Sequence, residues 1–161
     1  VNLVTPCGVI LAPCMYLYFM ASVIDQRQEH IEDEFAKMGD WMEKYEHIIS
    51  LGKELDALDP LDKVDDNLIK GCQSRVWLSA KQGVNGEVIF TADSDAIITK
   101  GLAALMIRVL SNAPASDIAS AKLFFLDRIG LNTHLSPTRS NGLQSMVKQM
   151  KLYGLVFTAK G

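Results

Sequence analysis

Cysteine and aromatic side chains are both scarce in this 161-residue chain, the aromatics amounting to 7% of it. The three cysteines, Cys7, Cys14 and Cys72, make neither a CxxC pair nor a dense framework, and an odd count is unlike a secreted disulfide scaffold. No Asn-x-Ser/Thr acceptor occurs. Together these absences point to a reducing, cytoplasmic compartment. There is no GxGxxG or Walker-type glycine loop, no HExxH and no zinc-spaced CxxC pair, so nucleotide and metal chemistry lack support. Positive charge is not in excess either. With 16 Lys and Arg against 19 Asp and Glu, the net charge of −3 gives no support to a phosphate-neutralising nucleic-acid protein.

What is present is ample apolar material, 48% of the residues, in a length that suits one domain. A chain of this size buries roughly 68–70% of its unfolded surface, so its core needs neither metal nor disulfide. Charge is unevenly distributed: residues 25–66 hold 14 acids and 5 bases, residues 67–161 hold 5 acids and 11 bases. The molecule is expected to be dipolar.

Residues 1–24 carry no charged side chain, long enough to suggest a membrane span or an export signal. Pro6, Gly8 and Pro13 interrupt the run, and no basic stretch precedes it. Leu11 and Ala12 before Cys14 resemble a lipoprotein box, but Pro13 stands where a small residue belongs. The expectation is a native start at Met20, with 1–19 an apolar leader outside a single domain at 20–161, and no membrane association.

From Ile24 the apolar positions Ile31, Phe35 and Met38 predict a helix ending at Gly39. Asp40 with Glu43 makes a capping box for a second helix whose apolar face is Trp41, Tyr45, Ile48, Ile49 and Leu55. The stretch 56–67, with Pro60 and its aspartates, reads as an exposed loop. Alternation at Val76, Leu78, Ala80 and at Val88, Phe90, Ala92 predicts two strands, and Asn85-Gly86 joins them as an antiparallel hairpin. Leu68 to Lys70 is the expected third strand. A helix over 95–111 is apolar nearly all round and therefore central, with Asp93, Ser94 and Asp95 as candidate caps. A short helix begins near Pro114, another ends at Gly130, and Ser136-Pro137 opens a last one buried along Leu143, Met146, Val147 and Met150. The order is α+β: a small three-stranded antiparallel sheet packed against a cluster of helices.

His30, His47 and His134 lie in separate elements with no carboxylate or thiol at ligand spacing, which reads as surface or capping histidines. Cys72 differs. It follows Gly71 and precedes the polar Gln73-Ser74-Arg75, which places the thiol at a loop tip or strand end. Lys70 and Arg75 flank it, and nearby cations favour the nucleophilic thiolate; a buried inert cysteine is the competing reading. Arg139 opposes the dipole of the last helix, so an acidic partner or a binding surface is expected to hold it. The interior Asn141-Gly142 weakens that helix, for which a close packing contact is the ordinary cause.

The segments GDWMEKYEHIISLGKEL, DDNLIKGCQSRVWLSA, FTADSDAIITKGLAALMIRVLS and GLNTHLSPTRSNGLQSMVKQMK, in this order across about residues 28–155, resemble the SufE family. The resemblance implies a fold similar to the iron–sulfur cluster scaffold proteins. It also implies an accessory role, not an enzyme: Cys72 of GCQS would receive persulfide sulfur from a SufS-like cysteine desulfurase, stimulate it and pass the sulfur on to a cluster scaffold. Gly71, Gln73, Ser74 and Arg75 would shape the acceptor loop, and Asp95 and Arg139 match partner-facing positions. The chain itself would hold no cofactor or metal, pyridoxal phosphate belonging to the desulfurase. The alternatives are a cluster scaffold, for which one thiolate is too few in the matched region, an independent thiol enzyme, which lacks an evident base, and a membrane-anchored adaptor.

Overall fold

The structure, a computed structural model, describes residues 21–161. The leader, the expected start at Met20, Cys7 and Cys14 lie outside the described residues. Helix α1 (Val23–Ala36) starts where the Ser22 hydroxyl accepts from the Asp25 N–H at 3.1 Å, and it buries the Ile24, Ile31 and Phe35 stripe. Gly39 does not close it; the helix stops at Lys37 and Gly39 sits in the link. There the Gly39 N–H donates to the Glu43 carboxylate at 2.6 Å, while Asp40 Oδ1 accepts from the Glu43 N–H at 2.9 Å. Asp40 is thus the N-cap of α2 (Trp41–Glu54), and the return arm of the box takes the Gly39 N–H in place of that of Asp40.

The sheet has order β1-β2-β3. Strands β1 (Val76–Gln82) and β2 (Glu87–Ser94) pair antiparallel from Val76 opposite Ser94 to Gln82 opposite Val88, turning at Gly86 with φ of 84°. The third strand is not Leu68–Lys70. It is β3 (Ala113–Pro114), short because Pro114 offers no N–H to a longer ladder. Leu68 makes one isolated bridge to Trp77, and the Ile69 N–H donates to Val76 O at 2.8 Å, before Gly71 (φ of 90°) turns the chain away.

Helix α3 (Ile97–Leu110) is the centre, buried on almost every side between α2, the sheet and the last helix. Its crossing with α2 is close: a Cβ on Gly101 would lie 2.2 Å from Ile48 O, and one on Gly52 would lie 2.7 Å from Gly101 N. Neither Asp93 nor Asp95 caps α3; Ala96 occupies the cap and its N–H donates to Ser94 Oγ at 3.2 Å. Asp93 is instead buried and bridges Lys63 at 2.5 Å and Lys100 at 3.0 Å. That ion pair, with Lys63 also lying over the Trp77 ring, ties the 56–67 stretch to the sheet, and Leu58 there is buried. The stretch is therefore a strap with two 3-10 turns, more attached than its composition predicts.

Helices α4 (Ala115–Ser120), α5 (Phe125–Arg128) and α6 (Leu131–His134) are short. The helix expected to end at Gly130 shrinks to a single turn, because the buried Gln28 side chain donates to Lys122 O and accepts from the Phe125 N–H. Helix α7 (Pro137–Lys160) closes the fold, burying Leu143, Met146 and Met150. No described helix is long and apolar enough to cross a membrane.

Candidate functional site: a half-buried thiol seated on the last helix

The segment carrying Cys72 is anchored at both stems. Before it, Ile69 and Leu68 are held to β1 as described above. After it, the Arg75 carbonyl accepts from Ser94 Oγ (2.9 Å) and from the Asp95 N–H (3.2 Å), while the Arg75 N–H donates to Asp95 Oδ1 (3.0 Å). Between the stems, among the described residues, the hydrogen bond that joins Lys70–Ser74 to the rest of the molecule runs from the Cys72 thiol to Gly142 O at 3.5 Å. Helix α7 supplies the seat. A Cβ on Gly142 would come within 3.2 Å of Cys72 Sγ, and one on Gly71 within 3.0 Å of Ser145 Oγ, so the segment lies directly on the helix surface.

Cys72 is half-buried and opens onto a cleft of about 440 Å³ whose walls include Gln73, Ser74, Thr99, Thr138, Arg139 and Gly142. Burial pushes its thiol above the usual cysteine range. This corrects the expectation that Lys70 and Arg75 lower it: the Arg75 guanidinium lies 4.8 Å from the Trp77 ring centroid, and Lys70 is exposed, where water screens its charge. Arg139 is held by a tyrosine, not an acid. Its Nη1 donates to Tyr45 Oη at 2.8 Å, and the guanidinium lies 5.9 Å from that ring's centroid.

The structure thus brings Cys72, Gln73, Ser74 and Arg139 onto one cleft, with Gly71 and Arg75 as the ends of the segment. Asp95 does not line the cleft; it holds the stem. Gly142 stands out in the sequence as a helix-weakening glycine, but spacing alone does not name its partner. Ser136, which begins α7 without a side-chain cap bond, also lines the cleft. The histidines stand apart: His134 stacks on Trp41 at 4.3 Å between centroids, and His47 bonds Glu34.

A small α+β domain presenting one sheltered, loop-borne thiol beside a polar cleft is the class that fold and site define. A family profile described as SufE, Fe-S metabolism associated domain, matches residues 29–153. An uncharacterized SufE-like protein of Rhizobium etli is 39% identical over 137 residues, covering 83% of this chain and 89% of the relative. The solution structure of a hypothetical protein from Thermus thermophilus is similar in fold, with a TM-score of 0.69 at 15% identity over 83% of this chain and 96% of that one. The chain belongs to the SufE family, domains associated with iron–sulfur metabolism.

Proposed function

We propose that this protein accepts sulfur on Cys72 from the persulfide of a cysteine desulfurase, stimulates that enzyme, and hands the sulfur on for cluster assembly in the cytoplasm. The observation that carries the reading is the position of Cys72, within the GCQS segment of a SufE-family chain, half-buried at the mouth of a cleft and held to the rest of the described fold by a single weak S–H···O contact. In the transfer the Cys72 thiolate attacks the outer sulfur of the donor's Cys–S–SH. The donor's S–S bond breaks, its inner sulfur leaves as thiolate, and Cys72–S–SH forms without net oxidation.

Attack requires thiolate and access, and the resting protein limits both through burial. Docking of the donor lifts the segment from its Gly142 seat and frees the nucleophile. Gly71 and the polar Gln73 and Ser74 let that segment move while the Arg75 stem stays tied to Asp95 and Ser94. Pyridoxal phosphate resides in the desulfurase in this scheme. Cys72 is the one cysteine among the described residues, which favours a carrier of single sulfur atoms over a cluster scaffold with several thiolate ligands.

The test is incubation with the co-occurring desulfurase, cysteine and pyridoxal phosphate, followed by mass spectrometry of the peptides. One added sulfur on the Cys72 peptide is expected, and Cys72→Ser abolishes both labelling and stimulation while keeping the urea unfolding midpoint of the wild type. Undiminished stimulation by Cys72→Ser overturns the proposal.

A further inference from the structure

Of the eleven cations at residues 67–161, three are ion-paired and eight, among them Lys81, Lys122, Lys151 and Lys160, have no ion pair among the described residues. Lys100, Arg108 and Arg128 are ion-paired with Asp93, Glu34 and Glu32. Four of the unpaired cations, Lys70, Arg75, Arg139 and Lys148, are exposed and lie either on the segment that carries Cys72 or on the helix that seats it. Lys70 and Arg75 bracket the thiol along the chain. Arg139 and Lys148 bracket it across α7: three-residue steps through the seat at Gly142 and Ser145 bring them out on opposite flanks. Arg139 lines the cleft on one side of the segment. Lys148 and Lys70 line a second groove, of about 360 Å³, on the other.

Two of these cations are fixed on aromatic rings, Arg75 on Trp77 and Arg139 on Tyr45, an arrangement that orients a guanidinium without neutralising it. The acids nearby are Asp66, in the second groove, and Asp95, occupied with the Arg75 N–H. They leave the rim positive in a protein whose net charge is negative. Nor does this charge serve the thiol, which burial shifts the other way. A rim of cations without ion pairs, two of them oriented on aromatic rings, that does not activate the thiol beside it is directed at something arriving from outside.

We infer that the rim formed by Lys70, Arg75, Arg139 and Lys148 is an electrostatic docking surface for a carboxylate-rich face around the persulfide of the sulfur donor. The inference rests on the sulfur-acceptor reading and adds the charge of the partner. Such complementarity speeds encounter and fixes orientation, and salt screens it over a Debye length of about 10 Å at 0.1 M.

The experiment measures the second-order rate of sulfur transfer from the co-occurring desulfurase to Cys72 between low salt and 0.5 M NaCl. The wild-type rate falls by about tenfold or more across that range. Lys70→Glu/Lys148→Glu transfers slowly at low salt and loses the salt dependence, whereas Lys81→Glu, an exposed cation on the distant hairpin, behaves as wild type. In parallel, a dianionic aromatic disulfide reacts with wild-type Cys72 faster than a neutral pyridyl disulfide, with the preference reversed in the double variant. Sulfur transfer that proceeds at a rate indifferent to salt overturns the docking inference alone, as does a double variant with the wild-type low-salt rate. Preference for the dianionic reagent without salt-sensitive transfer marks a small-anion site and overturns it too. No sulfur on wild-type Cys72 overturns the acceptor reading itself.

Discussion

At the scale of single residues, the chemistry turns on how one thiol is stored. Cys72 rests against Gly142, whose missing side chain leaves room for Sγ, and its S–H points at the Gly142 carbonyl. Burial disfavours the thiolate, so the fold stores this sulfur as thiol to a greater extent than it would be in a free cysteine. Alkylation of Cys72 with iodoacetamide is therefore expected to rise with pH through a midpoint above that of a free cysteine, and the midpoint returns to the ordinary range in urea. Gly142→Ala removes a helix-weakening glycine but sets a methyl 3.2 Å from the sulfur, so the segment lifts. Its alkylation at pH 8 is expected to be severalfold faster than wild type with the unfolding midpoint held or raised; an unchanged rate shows that the seat does not shelter the thiol. Both residues stand out in the sequence, one as a candidate nucleophile and one as a helix defect. That they are a single device is not legible there, because 70 positions of chain separate them and only packing brings them together.

At the scale of elements, local signals are reliable where local energetics decide. The Asp40–Glu43 box, the hairpin at Gly86 and the buried period of α7 all form as their residues dictate. Differences arise where a distant partner takes over a backbone or a charge. Gln28 claims the groups that would have continued α5 toward the N-terminus, β2 pairs with β3 and not with Leu68–Lys70, and Asp93 goes to two lysines instead of capping α3. Burial alone would raise the Asp93 carboxyl, but Lys63, Lys100 and the Ser94 N–H outweigh it and hold it low, so it pins the strap to the sheet as a carboxylate. The α2–α3 crossing makes the sharpest prediction at this scale. A methyl on Gly101 would meet the Ile48 carbonyl, a backbone atom that cannot rotate away. Gly101→Ala is expected to destabilise the fold by about 3 kcal/mol through overpacking, read as a lower urea midpoint at unchanged m-value.

At the scale of the whole molecule, acids gathered in the N-terminal half meet bases from the C-terminal half across the α1–α2–α3 junction. The Glu34 carboxylate receives Arg108 Nη1 and Nη2 at 3.1 and 2.8 Å and also bonds His47. The Arg108 hydrogen bonds lead in lowering its pKa from 4.5 to about 2, against the opposing effect of burial and with help from His47. A depressed carboxylate stabilises the fold above its unfolded pKa, and the contribution is lost as pH falls through the folded one. Glu34→Gln is expected to cost on the order of 2–3 kcal/mol at pH 7 after allowance for solvent screening, with the gap to wild type closing between pH 5 and pH 2 in urea titrations. A constant gap across that range assigns the loss to packing instead.

Composition, periodicity and capping residues determined by themselves the α+β class and most of the elements, and they singled out Cys72 as a candidate, because each depends on neighbours within a few turns of chain. The helix that shelters the thiol, the groups that hold its stems and the cations left without partners were decided by tertiary structure alone. Those properties arise from which surfaces exclude water against one another, and distance along the chain carries no record of that.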